Sequence, residues 1–233
     1  MQFKHVTLDF DGQVAILKLD HPEVMNAVSM DMLGGLSEAI DEIDDRRSDV
    51  RCLVITGAGR AFCAGANLQR RNNAEPGKRT NAGAGMSFAM MGDMILCARS
   101  AYFLQAFRRI GLVPDCGSTW LLPRLVGKAR SVELSLMGEK LAAEKALEWG
   151  LVNRVYDDAV LMEETMKLAH ELANGPTIAL SLIRKLYWES PDNSFEDQLD
   201  LEQQFQRVAG AAEDFKEGVS AFLEKRPARF KGR

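Results

Sequence analysis

Apolar and polar positions alternate at the start of the chain and then repeat at helical spacing. Residues 5–20 predict a β-hairpin, because apolar side chains alternate with polar ones on both sides of the turn pair Asp11-Gly12. Ser29 is the predicted cap of a helix, whose apolar face would be formed by Met32, Leu36, Ile40 and Ile43. The continuous apolar run Val50–Thr56 indicates a strand buried on both faces, as in a parallel sheet.

Short strands and helices are mixed in the middle of the chain, whereas its end is helical throughout. The pattern predicts strands at 94–98, 101–107 and 152–155, and helices at 86–91, 119–126, 128–137 and 142–149. Four further helices are predicted at 161–173, 177–189, 195–209 and 213–224. This order predicts an α/β core over residues 1–175 and a C-terminal helical region over 176–233.

Composition and charge narrow the class of protein. The 233 residues are 46% hydrophobic and 27% charged, with a formal net charge of −4, which argues against nucleic acid or an anionic membrane as the main partner. No apolar run reaches the roughly 18 residues of a membrane span, and no signal peptide is visible. The cysteines and histidines match no metal or redox spacing. We therefore expect a cytoplasmic protein with reduced thiols and no metal.

Two stretches of small residues are candidates for binding through backbone groups. The loop 57–66 follows a predicted strand but lacks both the third glycine of a dinucleotide fingerprint and the ending of a P-loop. It is either a tight strand-to-helix connection or a loop whose N–H groups face a ligand oxygen. Ala82–Gly85 has the same composition at a predicted helix start, where N–H groups are unpaired. The two loops could converge on one oxyanion, although close helix packing explains the glycines equally well.

Asp115 is the strongest candidate for side-chain chemistry. It lies just before a helix that is predicted to start near Ser118, so a helix cap is its more common role. The alternative is a general acid or base in an apolar pocket, whose predicted lining is Phe107, Val113 and Trp120.

Several ordered motifs together resemble the crotonase family, also called the enoyl-CoA hydratase/isomerase superfamily. They are His21–Ala27, Ala61–Leu68, Ala82–Gly85, Gly111–Thr119 and Ala142–Val155. Each motif is weak by itself, but their order along the chain is specific. The resemblance runs from about residue 5 to the C-terminus.

The resemblance implies a fold, a substrate class and an assembly. The expected fold is a spiral core of ββα turns with a C-terminal helical trimerisation region, assembled as a homotrimer or as a hexamer built from two trimers. The expected substrate is an acyl-CoA thioester, so that coenzyme A is part of the substrate and no separate cofactor is implied. Two backbone N–H groups, which map to Ala66 and Ala84, would hold the thioester oxygen. The implied CoA-binding positions are Val24, Ala64, Gly65, Ala66, Asn67 and Leu68.

Departures from the family pattern bear on the reaction. Typical hydratases use two glutamates, and this chain has Ser87 and Phe107 at those positions. Asp115 falls where isomerase members carry their acid, and its surroundings look closest to the 2-(1,2-epoxy-1,2-dihydrophenyl)acetyl-CoA isomerases; the dehalogenase branch also has Asp here. We therefore favour an isomerase with Asp115 as the catalytic residue. A hydratase, or a non-catalytic CoA-binding or RNA-binding relative, remains the alternative.

A short connection between the two small-residue loops is a further departure. Relatives place a helix and a buried strand there, whereas only residues 69–80 join Leu68 to Asn81. A crossover between parallel strands alone takes a dozen or more residues. Either the chain is truly shortened near 80–81, or the natural protein carries a further segment at this point. The second is favoured, because the loss of a central strand would leave its neighbours unpaired.

Overall fold

A computed structural model describes residues 1–66 and 84–233. A four-stranded sheet, in the order β1-β2-β3-β4, forms the N-terminal part. Its strands are β1 Gln2–Phe3, β2 Val6–Asp11, β3 Val14–Leu19 and β4 Cys52–Gly57. The predicted hairpin is confirmed as β2 and β3, and Gly12 between them has a φ of 59°, a conformation that favours glycine. β1, which pairs antiparallel with β2, was not predicted.

Helix α1, Met30–Asp45, begins where the sequence predicts. The hydroxyl of Ser29 accepts a hydrogen bond from the Met32 N–H at 3.2 Å, which satisfies one of the unpaired donors of the first turn. The predicted apolar face is partly wrong, because Ile40 is 52% exposed. The buried face consists of Met32, Gly35 and Ala39. Gly35 is required there, since a Cβ would overlap the carbonyl oxygen of Lys4.

Strand β4 differs from its prediction. It lies at the end of the described sheet order. Val54 is buried, but its neighbours Leu53 and Ile55 are exposed. Successive side chains of a strand point to opposite faces, so burial on both faces is wrong for this strand as described. The strand itself is confirmed, because it begins two residues after the predicted start and ends at Gly57.

The middle of the chain packs around an apolar core. Its helices are α2 Ala84–Met90, α3 Ser118–Val126, α4 Lys128–Met137 and α5 Ala143–Glu148. Its strands are β5 Leu96–Ala98, β6 Tyr102–Leu104, β7 Lys140–Ala142 and β8 Arg154–Tyr156, with β5 parallel to β8 and β6 antiparallel to β7. Met86 and Met90 of α2 join Leu122 and Val126 of α3 in this core. The start of α2 is thereby fixed relative to the segment that precedes α3.

Four helices end the chain, and their predicted positions are confirmed. They are α6 Leu161–Ala173, α7 Thr177–Glu189, α8 Phe195–Ala211 and α9 Glu213–Glu224. The contacts divide the chain into two compact units, and the second consists of Gly12–Val14, Arg47–Leu53 and Lys167–Arg233. The longest segment of this unit starts within α6, nine residues before the predicted C-terminal region that begins at 176. In the described residues no helix is both long and apolar enough to cross a membrane.

Candidate active site

The first small-residue loop is a tight turn that follows β4. A Cβ on Gly57 would lie 2.5 Å from the carbonyl oxygens of Ala61 and Phe62, so the loop folds back over this glycine. The buried amide of Asn26 donates to the carbonyl oxygens of Ala58 at 2.8 Å and of Ala61 at 2.7 Å. Its side-chain oxygen accepts from the His21 N–H at 2.8 Å. Asn26 therefore ties the His21–Ala27 motif to this loop.

Sequence reasoning missed this role of Asn26. The sequence analysis used Asn26 only as one residue of the His21–Ala27 motif. Its backbone has a φ of 55°. Asparagine is enriched in the left-handed region among non-glycine residues, and an amide side chain can donate twice and accept as well. An asparagine that follows a predicted turn was the signal available in the sequence.

The backbone N–H of Ala66 points away from the neighbouring segment that contains Val28. The Val28 N–H donates to the Gly65 carbonyl at 2.7 Å, and Val28 and Ala66 form a parallel bridge. In such a bridge the N–H of the residue after the acceptor points to the other side. The Ala64 N–H donates to the Met25 carbonyl at 2.9 Å, which places the predicted CoA-binding positions Val24 and Ala64–Ala66 on neighbouring segments. The predicted positions Asn67 and Leu68 lie outside the described residues.

The start of α2 packs against the first loop. A Cβ on Gly85 would overlap the carbonyl oxygen of Cys63, so only glycine allows this approach. Burial raises the pKa of the Cys63 thiol above its ordinary value. Ala84 is the first residue of the helix, where backbone N–H groups have no partner within the helix. The first loop and the start of α2 are therefore in contact at Cys63 and Gly85, whereas the convergence of the two loops on one oxyanion stays a prediction.

Helix α2 also contacts the Asp115 segment. Ser87 is fully buried, and its hydroxyl donates to the Asp115 carbonyl oxygen at 3.2 Å. The Ser118 N–H donates to the same oxygen at 3.0 Å. One short helix thus brings the first loop, the Ala84 N–H and Asp115 into one region of the molecule.

The expectation that Asp115 caps a helix is wrong. The residue at the capping position of α3 is Gly117, with a φ of 77°, and it makes no side-chain capping hydrogen bond. Two consecutive left-handed residues, Cys116 and Gly117, turn the backbone after Asp115. The carboxyl oxygen Oδ1 of Asp115 is buried and has no hydrogen-bond partner among the described residues. A buried carboxyl oxygen with no structural partner is unusual, and this one is available for chemistry.

Cys116 is the neighbour of this carboxylate. Its pKa is raised from 9.0 to about 11, first because the thiol is partly buried, and then because it hydrogen-bonds to the Asp115 side chain and meets its negative charge. The thiol therefore stays protonated near neutral pH and donates to the carboxylate. Sequence reasoning assigned no role to this cysteine.

The predicted acyl-pocket residues are not brought together as an enclosed lining. Phe107 is fully buried, whereas Val113 is 79% and Trp120 37% exposed. The guanidinium of Arg124, one helical turn after Trp120, lies 3.7 Å from the centre of its ring. In the described part of the chain the segment before Asp115 is exposed, so the pocket lining expected from Val113 stays a prediction.

Other candidate features lie elsewhere. Two open surface cavities run along α9 and the end of the chain, and neither is lined by a predicted site residue. Within the described ranges, no group of three or more His, Cys, Asp or Glu side chains is placed to hold a metal ion.

Comparison with known proteins identifies the family. The profile of the enoyl-CoA hydratase/isomerase family matches residues 9–82 and 77–233. The chain belongs to this family. It is 40% identical over 251 residues to 1,2-epoxyphenylacetyl-CoA isomerase of Escherichia coli K12, covering 94% of this chain and 95% of that protein. It is 36% identical to a probable enoyl-CoA hydratase of Rhodobacter capsulatus, covering 100% of both.

Solved structures give the same result for the fold. An enoyl-CoA hydratase from Bacillus anthracis has a TM-score of 0.92 at 26% identity, covering 98% of this chain and 100% of that one. The predicted crotonase-like fold with its C-terminal helices is therefore confirmed. The family profile breaks at 77–82, and the Rhodobacter alignment runs over 260 positions against 233 residues here. The break in the profile match coincides with residues 80–81, where relatives are expected to carry a further segment.

Proposed function

We propose that the protein is an acyl-CoA isomerase that works through an enolate, with Asp115 as its acid and base. The observation that carries the proposal is the buried Oδ1 of Asp115, which has no hydrogen-bond partner in the part of the chain that the structure describes. Its segment is anchored to α2 through the Ser87 hydroxyl. The same helix begins with the Ala84 N–H beside the first loop. The similarity to 1,2-epoxyphenylacetyl-CoA isomerase supports a related substrate.

The mechanism requires one carboxylate and two fixed donors. The Asp115 carboxylate takes a proton from a carbon next to the thioester, and the electron pair of that C–H bond moves into the enolate. The N–H groups of Ala66 and Ala84 would stabilise the negative oxygen; loss of one such donor typically costs about 3–4 kcal/mol in the barrier. The enolate then collapses and takes the proton back at another carbon. No electron leaves the substrate, so the reaction needs no redox cofactor.

An isomerase fits the side chains better than a hydratase does. Hydration needs a group that activates water. Ser87 is buried and donates its hydroxyl proton to a backbone carbonyl, and Phe107 is apolar and buried. A hydratase stays the second candidate, because the Rhodobacter relative carries that name. Its second acid would then have to come from another position.

The substrates distinguish these reactions. The purified protein is incubated with a 3-enoyl-CoA, a 2-enoyl-CoA and the epoxide of phenylacetyl-CoA, and the products are separated by liquid chromatography before they are weighed by mass spectrometry. An isomerase converts the 3-enoyl-CoA or the epoxide without a change in mass, whereas a hydratase adds one water to the 2-enoyl-CoA. A protein that binds CoA esters but converts none of them would be a non-catalytic relative.

Replacement of the carboxylate tests the catalytic assignment. Asp115→Asn keeps the shape but removes the base, so turnover is expected to fall about 10²–10⁴-fold. Because Asp115 caps no helix, the midpoint of thermal unfolding and the affinity for CoA should change little. Asp41→Asn on the exposed side of α1 is the control and should leave turnover unchanged. Turnover of the Asp115→Asn variant within tenfold of the parent would contradict the assignment.

We further propose a homotrimer, or a hexamer of two trimers, that acts in the cytoplasm. Neither α7 nor α8 fully buries a single side chain. Large apolar side chains are exposed along α7, α8 and α9, among them Ile183, Leu199 and Phe222. Contact with other subunits would cover them. The four cysteines are present as thiols, which fits a reducing compartment.

A further inference from the structure

The Asp115 segment is held by its backbone and not by its carboxylate. The Asp115 carbonyl oxygen accepts hydrogen bonds from the Ser87 hydroxyl at 3.2 Å and from the Ser118 N–H at 3.0 Å. Ser87 lies in α2 and Ser118 is the first residue of α3, so two helices donate hydrogen bonds to the same carbonyl group. The carboxyl oxygen Oδ1 takes no part in this attachment.

A buried polar pair reinforces the same junction. The Gln105 side-chain amide donates to the Ser118 hydroxyl at 2.7 Å and contacts the Met86 sulfur at 3.5 Å. Ser87, Gln105 and Ser118 are all essentially inaccessible to solvent. The bond to Gln105 holds the Ser118 side chain at the start of α3, while Oε1 of Gln105 has no partner among the described residues. The Ser87 hydroxyl is a second buried contact at this junction, made from α2 to the Asp115 carbonyl oxygen.

We propose that Ser87 is a positioning residue, which sets the direction of the Asp115 carboxylate by holding the Asp115 carbonyl. This inference rests on the proposed role of Asp115 in proton transfer. The two left-handed residues that follow, Cys116 and Gly117, turn the chain sharply. The orientation of the Asp115 peptide therefore determines where its side chain lies. A displacement of about 1 Å at a reacting group can cost about 10²-fold in rate.

The Ser87→Ala variant tests this role, with Ser131→Ala as its matched control. Ser131 is also a buried helical serine, and its hydroxyl donates to the Gly127 carbonyl oxygen at 2.7 Å, in α4. Ser87→Ala should fold, because the Asp115 carbonyl keeps its bond from Ser118. We expect kcat to fall about 10²-fold with KM nearly unchanged, whereas Ser131→Ala should keep kcat. The two variants should lose similar amounts of thermal stability. Equal kcat values in the two variants would overturn the proposal.

Amide hydrogen exchange gives a second readout that needs no substrate. In the Ser87→Ala variant the peptide that contains residues 113–118 should exchange severalfold faster than in the parent, and in Ser131→Ala it should not. Unchanged exchange in Ser87→Ala would also overturn the proposal. A parent protein that converts no acyl-CoA contradicts the proposed function instead, while the exchange rates still decide whether Ser87 holds the segment.

Discussion

The sequence allows two roles for Asp115, a helix cap or a catalytic acid and base, and its neighbour Cys116 helps to distinguish them. An aspartate before a helix favours a cap, but the backbone after Asp115 turns twice into the left-handed region and Gly117 takes the capping position. The carboxylate interacts with the Cys116 thiol, whose pKa it raises. The interaction between the Asp115 carboxylate and the Cys116 thiol can be measured directly through the reactivity of the thiol.

The reactivity of Cys116 should report the charge on Asp115. The raised pKa of about 11 leaves little thiolate at pH 8–9, so alkylation by iodoacetamide is slow and accelerates towards pH 11. Asp115→Asn removes the negative charge, so the pKa should fall, though it should stay above 9.0 because burial is the larger cause. Alkylation at pH 9, followed by peptide mass spectrometry, should therefore be faster in this variant.

Cys97 serves as the internal control in that experiment. Its pKa is also raised to about 11, by burial and by Glu144, and neither cause involves Asp115. Its alkylation should be the same in the parent and in Asp115→Asn. An unchanged rate at Cys116 would show that the thiol and the carboxylate do not interact.

Among the elements, α9 is the one whose end is fixed by charge. The chain after it folds back, so that the Arg226 guanidinium donates to both carboxylate oxygens of Glu217, at 2.6 and 3.0 Å. The Arg229 N–H donates to the same carboxylate at 2.8 Å. These bonds, with that of Arg226 as the largest cause, lower the pKa of Glu217 from 4.5 to about 2.

Loss of this carboxylate should release the end of the chain in a pH-dependent way. In Glu217→Gln the amide of Arg229 should exchange severalfold faster than in the parent when both are measured at pH 7. A lowered pKa means that the attachment is complete above about pH 4.5 and is lost as the pH falls through about 2. The difference between parent and variant should thus persist at pH 4 and vanish near pH 2. Glu202→Gln, an exposed change on α8, should have no effect; a difference that disappears at pH 4 would contradict the assignment.

For the whole molecule, the exposed apolar side chains of the C-terminal helices are the feature to explain. Phe195, Phe222 and Leu223 are among the most exposed large apolar residues of the described chain. Large apolar side chains that are exposed in such number suit a contact with other protein chains, where they would be covered.

Light scattering at micromolar concentration should give the mass of a trimer or of a hexamer. Phe222→Glu places a charge on the apolar side of α9 and should shift the protein towards smaller species. Lys216→Glu on the same helix is the control, since Lys216 is already polar and exposed. A monomer mass for the parent would contradict the proposed assembly.

Local patterns along the sequence were sufficient for the hairpin, for most of the helices and for the family, although they missed the short strands β1 and β7. The hairpin, the Ser29 cap and the four C-terminal helices depend on turn chemistry, on capping and on the spacing of apolar residues, which act between near neighbours. The ordered motifs likewise identified the family that the comparison confirmed. The sequence also singled out Asp115, Ala66 and Ala84 as candidates, without showing that their segments meet.

Only the tertiary structure decided what those candidates face. The packing of Gly85 on Cys63 and the bond from Ser87 to Asp115 join segments more than 20 residues apart, and no local pattern contains such contacts. The exposure of Val113 and the edge position of β4 likewise depend on what lies beside them in space. The sequence determined which side chains were available and which short segments could form helices and turns, because these depend on near neighbours in the chain. Burial came from long-range packing, which left Oδ1 of Asp115 buried and without a hydrogen-bond partner among the described residues.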